Sequence, residues 1–301
     1  MGKRILLFLL SNLAAALTVC VVVTILGAVG FAKMPADLPL AWVAVGSFVW
    51  GVSGAGLSLL LARWFAKKTL SVRLLDGKSG DSDSDWVFGW VQRLAQRDKL
   101  AMPEVGTYDS SEVNAFSTGA TRQRSLVAVS SGLVRNMSRQ ELTAVLAHEM
   151  THIANGDMVT MTLLQGVVNA FVLSFARVAV SVVRRKTTGA IVSAIALAVR
   201  VVLEVVLGML ASMIAAAFSR RREFRADAGG AKLVGREHML GALRQLARTR
   251  ERIDGSQPAL TCFKIVGGAG WLDALATHPP LERRIAALQS LGPETSPSGV
   301  V

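Results

Sequence analysis

The stretch SRQELTAVLAHEMTHIANG, residues 138–156, decides how the rest of the chain is read. Ser138 and Glu141 have the spacing of a capping box, which satisfies two orphan N–H groups at a helix start. Leu142, Val145, Leu146 and Ile153 then recur at helical intervals, and Asn155-Gly156 supplies the stop signal. Within this predicted helix lies His148-Glu149-Met150-Thr151-His152. Side chains four apart on a helix share one face, so both imidazoles can reach a single ion. Neutral imidazole suits zinc, and Glu149 sits beside the same point, where it can take a proton from metal-bound water. The chain has four histidines, His148, His152, His238 and His278. Two of them rarely fall around a glutamate at this interval by chance, and the flanking apolar residues argue against a merely solvated helix face.

A hydrolytic zinc site takes three protein ligands and keeps a fourth position open. The metzincin pattern would place a histidine six residues after His152, but that position is Met158. Asp157 is close in sequence yet lies past the Asn155-Gly156 helix end. Glu223 is the better third ligand, on the helix-compatible segment Arg222-Glu223-Phe224-Arg225-Ala226-Asp227. Asp227, four residues further on, shares its face and is placed to accept a hydrogen bond from the free nitrogen of a ligating histidine. The plainer reading of this segment is a charged helix end beside a membrane.

Hydrophobic residues make up 51% of the 301 residues, and the formal net charge is +12. The first figure points to a membrane protein, and the basic residues border the apolar runs. Lys3 and Arg4 precede Ile5 to Ala32, a run longer than the apolar core of a cleaved signal peptide, which reads as a retained anchor helix. Leu38 to Ala62 follows a turn at Met34-Pro35 and Pro39, so residues 1–62 are expected to form a transmembrane hairpin. Two further runs, Met158 to Val183 and Thr187 to Ser219, make a second hydrophobic hairpin over 158–219.

The positive-inside rule places Lys3, Arg4, Arg63, Lys67, Lys68 and Arg220 to Arg222 in the cytoplasm. His148, His152 and Glu223 must share one side of the membrane, so the chain between them crosses twice or not at all. Arg177, Arg184, Arg185 and Lys186 would lie at the outer tip of the second hairpin, so it either crosses despite them or inserts only in part. Aromatic residues are 6% of the chain, which offers no stacking platform for nucleic acid. Cys20 and Cys262 provide neither a disulfide framework nor a cysteine metal site.

Between the apolar runs, residues 63–157 and 220–292 form the expected catalytic parts. Asp76 to Asp85 reads as an exposed linker. Ser84 or Asp85 then caps a helix whose Trp86, Val87, Trp90, Val91 and Leu94 share a face. Glu104 to Tyr108, Glu112 to Phe116 and Ser125 to Ser130 read as strands of a small sheet. A basic helical stretch extends from Arg220 to about Arg252, a last helix covers Leu281 to Leu291, and 293–301 is a disordered tail. The expected fold is a mainly α membrane protein with a cytoplasmic α+β zincin-like metalloprotease domain.

These features resemble the bacterial HtpX heat-shock membrane proteases, relatives of the CAAX prenyl endoprotease and of the gluzincins. Asn114-Ala115-Phe116, Ser125 to Ser131, His148 to Asp157, Ser219 to Asp227 and Thr277-His278-Pro279-Pro280 carry the resemblance over nearly the whole chain. It implies one zinc ion per chain, Glu223 as third ligand and Glu149 as general base. It also implies His278 as oxyanion stabiliser, with Arg284 either assisting or pairing with Asp227. Asn114 and Ala115 match a substrate-binding segment, and Ser125, Leu126, Val127, Ala128 and Val129 are expected to form an edge strand that pairs with an extended substrate. The resemblance further implies an endopeptidase of the bacterial inner membrane, in quality control of damaged membrane proteins, with its catalytic domain in the cytoplasm. Two rivals differ in kind. A scaffold could keep zinc for structure, with Asp157 or Asp227 as a fourth ligand. A transporter would need paired half-helices, and no internal repeat is visible.

Overall fold

The computed structural model describes residues 40–185, 190–255 and 278–291. The run from Ile5 to Ala32, Lys186, both cysteines, Thr277 and the tail lie outside the described residues. The chain divides into Met1–Gly46 and Ser47–Val301, and the architecture below is that of the second unit.

Helix α1 (Leu40–Thr69) is uncharged as far as Ala62 and then turns basic. Arg63 and Lys67 meet Glu104 at 3.3 and 3.0 Å, which ties the end of α1 to the sheet. After the short β1 (Arg73–Leu74), α2 spans Ser82–Arg97. Its cap is Asp81, whose carboxylate accepts from the Ser84 amide, rather than Ser84 or Asp85. Asp85 instead accepts from the amide and hydroxyl of Ser79, both at 2.8 Å, and folds the preceding loop onto the helix. This stretch holds several residues able to cap, and the position of the first helical turn selects among them.

Three strands follow: β2 (Glu104–Tyr108), β3 (Ala115–Thr121) and β4 (Arg124–Ser130). Residues 112–114, expected in a strand, precede β3. The sheet order is β1-β2-β4-β3, with β2 and β4 parallel and β3 antiparallel to β4. The strand carrying Ser125, Leu126, Val127, Ala128 and Val129 is therefore interior, not an edge. All five residues are buried, and both sides of β4 are already hydrogen-bonded to neighbours. Among the described strands the free edge beside these residues is that of β3. One face of the sheet, through Val105, Val127 and Val129, joins the main core; Tyr108, Leu126 and Ala128 pack with Phe116 and Val72 on the other.

Helices α3 (Ser131–Asn136) and α4 (Arg139–Asn155) lead into α5 (Asp157–Arg185) and α6 (Ala190–Val234). α5 and α6 pack on each other, and both are long and apolar enough to cross a membrane. Their flanks expose Phe171, Phe175, Leu197, Val202, Val206 and Leu210, an outward apolar surface that suits lipid. Arg200 meets Glu204 one turn on at 2.8 Å. With 45 residues and a rise of about 1.5 Å each, α6 is roughly twice as long as the bilayer core is thick. Its polar final turns continue the apolar helix without a break, so the expected boundary between 219 and 220 falls inside one continuous helix. In those turns Ser219, Glu223, Ala226, Asp227 and Ala231 form a buried stripe.

The basic stretch expected to run on from Arg220 is interrupted at Gly235, where α7 (Arg236–Gly255) begins. α8 (Leu281–Ser290) closes the domain and buries Leu288 in the main core. α4 lies centrally in this arrangement, packed by α2, α6, α7 and the sheet. Contact between α4 and α6 is close because α6 presents glycine there. A Cβ on Gly230 would stand 2.3 Å from Met239 Cε and 3.2 Å from the His148 backbone nitrogen. Gly230→Val is expected to force the helices apart and to lower stability by about 1–3 kcal/mol. Thermal unfolding in detergent measures this; an unchanged midpoint would show that α6 does not press on α4 and α7 here.

Candidate metal centre

The central helix forms where its sequence places it. Ser138 and Glu141 make the reciprocal capping box, and Gly156 ends α4 with φ of 67°. That left-handed conformation favours glycine, and it lets α5 begin at once with Asp157 tucked beneath the last turn of α4. Thr143, Ala147, Met150 and Thr151 are buried with His148 and His152, so the histidines sit on a helix packed on several sides.

His148 and His152 stand edge to face, with their Nε2 atoms 3.1 Å apart. Glu223, on the polar end of α6, closes the third side. Its Oε1 lies 3.3 Å from His152 Nε2 and its Oε2 lies 3.6 Å from His148 Nε2. One donor atom from each of the three residues falls within 4.8 Å of the others, and all three residues are buried. Two imidazole nitrogens and a carboxylate oxygen converging in this way fit a divalent metal ion.

The outward nitrogens are also engaged. His148 Nδ1 lies 2.9 Å from Asp227 Oδ1, and His152 Nδ1 lies 2.7 Å from Asp157 Oδ2. Each imidazole thus has a buried carboxylate at its outward Nδ1, while its Nε2 faces inward. This speaks against a closed, structural site. Asp157 and Asp227 point at the far nitrogens, and among the described residues the ligand cluster contains three groups. Arg284 on α8 grips Asp227 with two hydrogen bonds of 2.7 and 2.5 Å and reaches Glu223 at 3.3 Å. Of its two expected roles, pairing with Asp227 is the arrangement found.

Burial opposes charging of both histidines, but their carboxylate partners outweigh it. Hydrogen bonds to Asp227 and Glu223 push the His148 pKa up to about 9. Those to Asp157 and Glu223 raise that of His152 above its ordinary value. Without an ion, the inward space is one that binds positive charge.

Glu149 faces a cleft of about 340 Å³ that also exposes His148, His152 and Glu223. Its Oε2 accepts a hydrogen bond of 2.7 Å from Ser117 on β3. Asn114, Ala115 and Phe116 line one side of the cleft, while Leu133, Val145 and Leu243 give it an apolar side. His278 is 71% exposed along its side chain and touches Glu223 Oε2 through Nδ1 at 3.1 Å. His238 stays at the surface, bonded to the Val234 carbonyl. Sequence reading weighed Asp157 only as a ligand and not as the partner of His152, and it missed Ser117. The first was legible in principle, since a left-handed glycine cap turns the chain back toward the helix it ends. The second had no local signal, because the approach of β3 to α4 is non-local.

Comparison with known proteins agrees with this geometry. The family described as peptidase family M48 matches residues 81–291. Protease HtpX of Tolumonas auensis is 45% identical over 296 residues, covering 96% of this chain and 99% of that protein. Protease HtpX of Aeromonas hydrophila is 46% identical, covering 95% and 99%. The crystal structure of S. mikatae Ste24p shares the fold with a TM-score of 0.65 at 20% identity, over 96% of this chain and 67% of that one. A metal-ligand cluster on a buried helix, apolar helices facing outward and full-length relatedness lead to one assignment: the chain belongs to peptidase family M48, as a membrane metalloprotease of HtpX type.

Proposed function

We propose that this protein is a zinc endopeptidase of the bacterial inner membrane that cleaves membrane proteins from the cytoplasmic side. The observation that carries the reading is the convergence of His148, His152 and Glu223 beside Glu149 in a cleft bordered by a strand edge. Nitrogen ligands about 2.0–2.1 Å from a tetrahedral zinc ion lie about 3.3 Å from one another. The two Nε2 atoms stand 3.1 Å apart, and the Glu223 carboxylate approaches them with Oε1 at 3.3 Å from His152 and Oε2 at 3.6 Å from His148, spacings near that value. One bound zinc ion would supply Lewis acidity, lowering the pKa of water toward about 7 and polarising the scissile carbonyl.

The chain's own residues do the rest. Glu149 takes the proton of the attacking water and delivers it to the leaving amine. His278, exposed at the cleft, donates to the developing oxyanion. Arg284 holds Asp227 and Glu223 in place. The free edge of β3, entered through Asn114 and Ala115, accepts an extended peptide by strand addition. That mode requires unfolded substrate chain, which suits removal of damaged or misfolded membrane proteins. The side of the cleft formed by Leu133, Val145 and Leu243 receives an apolar substrate side chain.

The basic ends of α1 and of the apolar part of α6 support a cytoplasmic catalytic domain. Glu149→Ala is expected to keep its zinc and to lose about 10²–10⁴-fold in hydrolysis. Metal analysis alongside casein cleavage by the detergent-purified chain checks both halves, and wild-type turnover would remove Glu149 from its role. Glu223→Ala should instead lose zinc, and full metal content in that variant would disprove its place as a ligand.

Protons compete with the metal for the histidines. His148, raised from 6.5 to about 9 in metal-free protein, is charged at neutral pH and must lose that proton to bind. Zinc uptake near pH 7.5 should therefore release protons, and apparent affinity should rise with pH until it levels off near 9. The same shift has a stability sign. In metal-free protein the charged His148 contributes stability that is fully present below 6.5 and is lost as pH rises through about 9. Calorimetric titrations in buffers of different ionisation enthalpy test the release; heats independent of buffer would contradict it.

A further inference from the structure

Asp157 holds a place in the metal centre that the three-ligand reading leaves unassigned. It is the first residue of α5 and only 1% exposed. A carboxylate buried to this degree is strongly disfavoured unless it is paired. Its Oδ2 lies 2.7 Å from His152 Nδ1, and its Oδ1 accepts from Arg225 Nη2 at 3.2 Å. The Arg222 guanidinium reaches its backbone carbonyl at 3.4 Å. The Arg225 side chain is 63% exposed, so solvent weakens that pair. His152 is the buried partner toward which the carboxylate is aimed. A carboxylate in the first turn of a helix is also favoured by the helix dipole. That favourable interaction does not require contact with His152, whereas the observed hydrogen bond is short and specific.

We propose that Asp157 is a positioning residue of the metal centre: by accepting the Nδ1 hydrogen of His152, it fixes the tautomer and ring orientation that present Nε2 to the ion. This rests on the reading of His152 as a ligand. It gives each histidine its own carboxylate, Asp227 for His148 and Asp157 for His152. The two carboxylates come from the two apolar helices, Asp227 from the polar extension of α6 and Asp157 from the first turn of α5. Shifting the start of α5 thus weakens metal binding without altering a ligand.

The full chain, purified in detergent and stripped with a chelator, is titrated with zinc against a chromogenic competitor, alongside Asp157→Ala and Asp157→Asn. Asp157→Ala is expected to bind zinc about 10–100-fold more weakly. Asp157→Asn keeps an oxygen that accepts from Nδ1 and should fall nearer the wild type. Cobalt(II) loaded to saturation should give an altered visible spectrum in Asp157→Ala. A role confined to starting α5 would lower the thermal midpoint of the metal-free protein but leave zinc affinity and the cobalt spectrum unchanged; that pattern overturns the proposal. Equal weakening by Ala and Asn also overturns it, since the shared acceptor would then be irrelevant. If Asp157→Ala does not fold, Asp157→Ser takes its place, because serine still suits a helix start but is too short to reach His152. A wild-type chain that binds no zinc would sink the ligand assignment itself, whereas wild-type affinity in the Asp157 variants would sink only this inference.

Discussion

Two buried carboxylates, Asp157 and Asp227, engage the outward nitrogens of His152 and His148, and this turns both Nε2 atoms inward toward Glu223. Most of the structure around the site serves that constraint. Three buried carboxylates, Glu223, Asp227 and Asp157, surround the two imidazoles, an arrangement that is unfavourable unless positive charge balances it. Arg284 supplies one such charge, bonded to both Asp227 and Glu223. The raised pKa values of the two histidines express the same demand. A divalent ion would meet it more fully, because it interacts with the three inward donors at once. The residues therefore look less like separately added ligands than like one electrostatic unit built around a cation.

The unit is assembled from four helices, and their packing explains how it is kept rigid. α4 is capped at both ends and buried against α2, α6, α7 and the sheet, so the spacing of its histidines is set by helix geometry alone. α6 is continuous from its apolar part into the turns that bear Glu223 and Asp227. In a continuous helix, the direction in which Glu223 points is tied to the rotation of the apolar segment beside lipid. Gly229 and Gly230 allow the two helices to approach closely, with Thr151 and the backbone of His148 among the neighbours on α4.

The sheet contributes on the opposite side. β4 is hydrogen-bonded on both sides and buried on both faces, so it anchors β3 and has no edge of its own for an added strand. β3 keeps one edge free among the described strands and brings Ser117 to Glu149. The strand expected at the edge is therefore interior, and its neighbour β3 holds the edge. Leu126 to Val129 is a continuous apolar run, which is the pattern of a strand covered on both faces. Which strands flank it depends on contacts made far along the chain, and local pattern does not encode them.

The sequence by itself determined the features that arise within a few turns of chain. They include the capped helix of residues 138–156, two imidazoles with a glutamate between them, the long apolar runs and the family resemblance those motifs carry. These follow from short-range geometry, from capping chemistry and from the length of a bilayer, so a linear reading reaches them. Only the tertiary structure decided which strand has the free edge and that Asp81 caps α2. It alone showed Arg284 paired with Asp227, one of the two roles expected of it, set Asp157 beneath His152 and supplied the distances at which Glu223, already named from the sequence, meets the two histidines. Each of these depends on where separate helices and strands come to rest against a shared core, and that is settled by packing between segments distant in sequence rather than by the local propensities of any one of them.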